Sequence, residues 1–109
     1  MENVNFAEIK KTFFIIDESF EALRKCAGSD DEKKILLAQR DAARDTFWAA
    51  AAARLEDNNP AVEETRHELK EANEALKDEI DKLSSFASVI KTISTAVKLA
   101  AALVTLAGI

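Results

Sequence analysis

Residues 76–97 read LKDEIDKLSSFASVIKTISTAV, and how the chain passes Ser84-Ser85 decides the fold. Leu76, Leu83, Ile90 and Val97 stand seven residues apart across that pair. The same row runs back through Leu69 to Val62 and on to Val104 without a miss. An α-helix turns every 3.6 residues, so a seven-residue row drifts around it unless the helix supercoils against a neighbour. No Gly or Pro lies between Pro60 and Gly108. The spacing therefore predicts one helix over residues 60–107, about 70 Å long at 1.5 Å per residue. The alternative is a bend at Ser84-Ser85, which gives a four-helix bundle of near-equal rods.

The segments upstream carry their own starts and stops. Phe6, Ile9, Phe13, Ile16, Phe20 and Leu23 alternate at three and four, which predicts a helix over residues 4–26. Phe14 and Ile15 widen its apolar stripe toward more than one neighbour. Asn3 or Asn5 can cap its start, and Gly28 can end it in the left-handed conformation. Ser29-Asp30-Asp31-Glu32 has the form of a capping box and opens a second helix over residues 30–57. Leu36, Ala43, Phe47 and Ala50 share one face of it, with Leu37, Trp48, Ala51 and Leu55 beside them. Asp57-Asn58-Asn59-Pro60 stops this helix and starts the next, with Asn59 as cap and Pro60 in the first turn.

The expected fold is a single all-α domain of 109 residues. An antiparallel hairpin is followed by the long heptad-repeat helix, with coiled-coil-like packing. The core within the chain is expected at Phe6, Ile9, Phe13, Ile16, Phe20, Leu23, Leu36, Phe47, Leu69, Leu76 and Leu83. Composition agrees: two Gly, one Pro and no Tyr suit long helices and not a sheet.

Charge divides the long helix. Residues 56–83 hold ten acids and four bases, whereas residues 84–109 hold no acid and only Lys91 and Lys98. The whole chain carries −5 and no basic stripe, which argues against a nucleic-acid partner. In the tail, Phe86, Val89, Ile90, Ile93, Val97, Ala100, Leu103 and Val104 make an apolar surface. Each large side chain among them left in water forfeits roughly 1.5–3 kcal/mol. The first two helices are each too short to cover a 48-residue rod, so the tail is expected to meet copies of the chain, another protein or lipid. A spanning helix is disfavoured, because the longest uncharged run is residues 99–109, well under the roughly 20 that a bilayer requires. An interfacial helix with Lys91 and Lys98 on one face stays open.

Chemistry is thinly represented. His67 is the only histidine, and Glu64-Thr65-Arg66-His67 matches the Glu-x-x-His of bundle di-iron sites. Such sites need two of these motifs, so His67 reads as a solvated side chain supported by Glu63 and Glu71 four residues away. Cys26 is the only cysteine, so the chain has no internal disulfide. It reads as a small helix-end residue. Adjacent carboxylates such as Asp17-Glu18 and Asp78-Glu79 point about 100° apart and cannot share a proton or ion. No catalytic, cofactor or metal site is expected. The residues before the first helix are polar and unlike a signal peptide, which makes the cytoplasm the expected location. The function expected is non-enzymatic assembly, with self-association through the apolar rear of the last helix and, secondarily, through the Phe6–Leu23 stripe. The alternative is a membrane-acting protein whose rear helix is masked until a trigger exposes it to lipid.

Overall fold

Four helices of nearly equal length make up the computed structural model, which describes residues 3–55, 59–82 and 85–108. They are α1 (Val4–Cys26), α2 (Asp30–Ala52), α3 (Pro60–Lys82) and α4 (Phe86–Ala107), and no strand occurs among the described residues. The three-helix expectation is corrected here: the chain takes the four-helix alternative. A single rod over residues 60–107 would measure about 70 Å, whereas the longest dimension of the molecule is 42 Å. Ser85 caps α4, its Oγ accepting from the Ser88 N–H at 3.2 Å. The reason is burial. Folding α4 back covers Val89, Ile93 and Leu103 within the chain itself, and a straight rod would leave them wet.

The other helix ends follow their residues closely. Asn3 caps α1 by accepting from the Asn5 and Phe6 amides, and Asn59 caps α3 by accepting from Ala61. At α2 the Glu32 N–H donates to Ser29 Oγ, as a capping box requires. The return bond differs: Glu32 Oε1 accepts from the Gly28 N–H at 2.7 Å, one residue before the cap. Gly28 is therefore not in the left-handed conformation expected of it. A Cβ there would stand 2.9 Å from that carboxylate oxygen. The α1 C-cap falls on Ala27, in extended conformation. Helix α2 stops at Ala52, short of the expected residue 57; residues 56–57 lie outside the described residues. Leu55 instead runs extended, pairs with Gly108 and packs half-buried against the core, closing that end of the bundle.

These end contacts set the topology. Asn3, at the start of α1, donates from Nδ2 to the Leu55 carbonyl just past α2, so α1 and α2 run antiparallel. The Leu55–Gly108 pair brings the ends of α2 and α4 together, so those two run parallel. Helices α1 and α4 each pack on all three others, while α2 and α3 do not meet among the described residues. The molecule is thus two antiparallel hairpins laid side by side, α1 along α3 and α2 along α4.

The core fills this arrangement in two zones. Ile9, Ala50, Val62, Leu69, Ala100 and Leu103 pack near the end closed by Leu55. Ile16, Leu23, Leu36, Leu76, Val89 and Ile93 pack toward the other. The row that turns inward on α4 is Val89, Ile93, Ala96, Ala100, Leu103 and Ala107, spaced four and three. It lies one residue before the seven-residue row of the sequence. Ile90 and Val104 of that row are half-buried, and Val97 is buried. Helix α4 thus packs in a phase of its own, one residue off that row.

Candidate interaction surface

Large apolar side chains stay in water along one side of the bundle. Among the described residues, helix α2 packs on α1 and α4 alone, which leaves part of the α1–α2 groove open. Phe47 on α2 lies in this groove with ring centroids of Phe6, Phe13 and Trp48 at 5.6 Å and of Phe14 at 5.8 Å. Five of the seven aromatic rings in the chain thus form one cluster. Its inner members are half-buried, whereas Phe14 is 41% and Trp48 62% exposed. Leu37, further along α2, is also exposed.

Charge borders these rings in both signs. The Lys10 ammonium sits over Phe6 at 5.8 Å, and the Arg40 guanidinium over Phe20 at 4.1 Å, within cation–π range. Arg44 lies next to Asp41 and Asp45. The face is therefore an apolar strip edged by cations and carboxylates.

The expected core residues divide along this line. Ile9, Ile16, Leu23, Leu36, Leu69 and Leu76 are buried as expected. Phe6, Phe13, Phe20 and Phe47 are only half-buried, because the stripe on α1 is wider than its seam and turns its phenylalanines toward the open groove. Leu83 lies outside the described residues. The expected outward surface of the tail meets the opposite fate. Val89, Ile93, Val97, Ala100 and Leu103 are buried by the chain's own helices, and Phe86, Ile90 and Val104 are half-buried against them. The expectation that nothing in the chain could cover this surface is corrected by the fold-back of α4. Lys91, Lys98, Ala101, Ala102 and Leu106 are among the residues that α4 shows to solvent.

A buried polar group of residues escaped the sequence reading. Asn5 and Thr12 on α1 and Asn73 on α3 are at most 1% exposed. With Glu8 and Arg66 they form hydrogen bonds along the α1–α3 seam. The signal was present as spacing: Asn5 and Thr12 are seven apart, and so are Arg66 and Asn73.

The candidate reactive groups sit apart from one another. His67 is on the solvent side of α3, its Nε2 2.9 Å from Glu71 Oε1, and 71% of its side chain is exposed. No group of three His, Cys, Asp or Glu side chains among the described residues is arranged to hold a metal ion. Cys26 is exposed at the end of α1. Asp78 pairs with Lys82 at 2.9 Å, and the hydrogen bond and charge of Asp78 raise the Lys82 pKa above its usual 10.5. These are surface pairs of modest worth.

Compared with protein-family models, with curated proteins and with solved structures, the chain shows no match.

Proposed function

We propose that this chain is a non-enzymatic helical interaction protein that works by self-association, two copies meeting through the aromatic face of α1 and α2. The observation that carries the proposal is the ring cluster around Phe47, with Phe14 and Trp48 left exposed at 41% and 62%. Contiguous exposed aromatics bordered by polar groups mark interfaces more often than they mark plain surface. The partner is a second copy because the border carries both signs. A two-fold interface lays a patch on itself, so Lys10, Arg40 and Arg44 need Asp17, Asp41 or Asp45 on the same face to answer them. The Phe6–Leu23 stripe, the secondary surface expected from the sequence, supplies half of this face. Association through α4 would require that helix to leave the core first.

A second reading of another class rests on α4. By length and composition Phe86–Ala107 is apolar enough to cross a membrane, although the core helix of a bundle passes the same test. It carries no acid, and Lys91 and Lys98 both face solvent. On this reading the bundle is the masked form, and lipid contact follows release of α4.

Light scattering on the eluting protein tests both. The first reading predicts a mass twice the 12.0 kDa of one chain, falling to one chain with Trp48→Ser plus Phe14→Ser, and no binding to phosphatidylglycerol vesicles. A monomer in all forms removes the self-association reading. Vesicle binding that Ile93→Asp changes and Trp48→Ser does not would favour the second.

A further inference from the structure

The seam between α1 and α3 is polar where the rest of the interior is apolar. The Arg66 guanidinium donates to Asn5 Oδ1 at 3.0 Å, and the Thr12 hydroxyl donates to Asn73 Oδ1 at 2.8 Å. Both bonds join residues 61 positions apart, and they stand seven residues apart on each helix. They are successive rungs of one parallel register. Asn73 Nδ2 donates further to the Glu8 carbonyl at 3.2 Å and to Glu8 Oε2 at 3.0 Å, so the amide is engaged on both of its atoms. No buried side-chain polar atom among the described residues lacks a partner.

The apolar packing around these rungs does not by itself distinguish one register from the next. Ile9, Ile16 and Leu23 on α1 repeat every seven residues, and so do Val62, Leu69 and Leu76 on α3. A slip of one repeat matches apolar to apolar again. The polar rungs do distinguish. The slip that brings Asn5 to Asn73 sets Thr12 against Ile80 and carries Arg66 past the start of α1, leaving the Asn73 amide without Glu8. Burying such a group without its partners is costly, which is why single polar residues in helical seams fix register.

We infer that this ladder is a register lock that keeps the α3–α4 hairpin seated on the α1–α2 hairpin, and thereby controls whether the apolar row of α4 stays inside. Helix α4 is joined to α3 and moves with it. A slip of one repeat shifts both by about 10 Å along the bundle. It would carry Leu103 and Ala107 beyond the core zone that Ile9 and Ala50 share with them. The lock concerns the inside of one chain and is independent of how copies associate.

The double variant Thr12→Val, Asn73→Leu tests it, read by backbone amide resonances together with the fluorescence of a dye that binds exposed apolar surface. The expected result is retained helical circular dichroism, two or more resonances for residues of α1 and α3, and increased dye fluorescence. Exchanging the rung, with Thr12→Asn and Asn73→Thr in one chain, restores a polar pair at the same height. It is expected to return a single set of resonances and the original dye signal. A single set of resonances with unchanged dye binding in the apolar double variant overturns the inference. So does loss of helical signal, since the ladder would then supply stability and not register.

Discussion

Phe13 and Phe47 stack across the α1–α2 groove, their ring centroids 5.6 Å apart and their planes 14° from parallel. Phe47 also contacts Phe6, Phe14 and Trp48, so it acts as the hub of the exposed face. Truncating it removes packing to four rings at once. Because Phe47 is half-buried, the cost falls below the roughly 3–5 kcal/mol of a fully buried phenylalanine. Phe47→Ala is expected to lower stability to urea by about 2 kcal/mol. A change within experimental error would mean that the rings merely lie near one another.

The two sides of α4 should respond differently to the same change. Ile93 is fully buried and Leu106 is 46% exposed. Ile93→Ala is expected to cost about 2–5 kcal/mol, and Leu106→Ala less than about 1 kcal/mol. Equal costs, measured by denaturant unfolding, would mean that something other than α1, α2 and α3 covers this helix.

Ser85 offers a test of sign. As the cap of α4 its hydroxyl accepts the Ser88 amide, so Ser85→Ala should destabilise by about 1 kcal/mol. In the middle of an unbroken helix the same change would stabilise, because alanine is the better helix former. The direction of the shift in Tm therefore separates a four-helix bundle from a long rod.

Lys82 provides a pH signature at the surface. Its pKa is raised by the hydrogen bond and charge of Asp78, so on the alkaline side the ammonium is still charged at 10.5 and is lost only as pH climbs through the raised value. A titration of the Lys82 side chain by NMR should show a midpoint above 10.5 that falls back in Asp78→Asn. An unchanged midpoint would mean that the pair does not persist in solution.

Local grammar was the most legible part of the sequence. Ser29 and Asn59 announce two helix starts, and the choice of Asn3 or Asn5 a third, because a cap acts through bonds within four residues. The end of α3 and restart of α4 is the lesser alternative from sequence alone, because Leu76, Leu83, Ile90 and Val97 keep phase through Ser84-Ser85. Chain closure, which that row does not encode, decided the matter by burying Val89 and Leu103. The exposed aromatic face was hidden for a related reason. Periodicity shows that Phe13 and Phe47 lie on apolar stripes but not which stripe lacks a neighbour. The burial of Asn5, Thr12 and Asn73 is not legible in the sequence, since a polar side chain announces burial only once its partner on another helix is known.

Trp48 is the only tryptophan in the chain, and it stands at the centre of the proposed contact between copies. Its emission spectrum, followed on dilution of the purified protein, tests self-association through this face most directly. Self-association predicts emission at shorter wavelength in concentrated protein, moving to the solvent-exposed position as copies separate, and a spectrum already at that position in Phe14→Ser. Emission characteristic of a water-exposed indole at every concentration would contradict it.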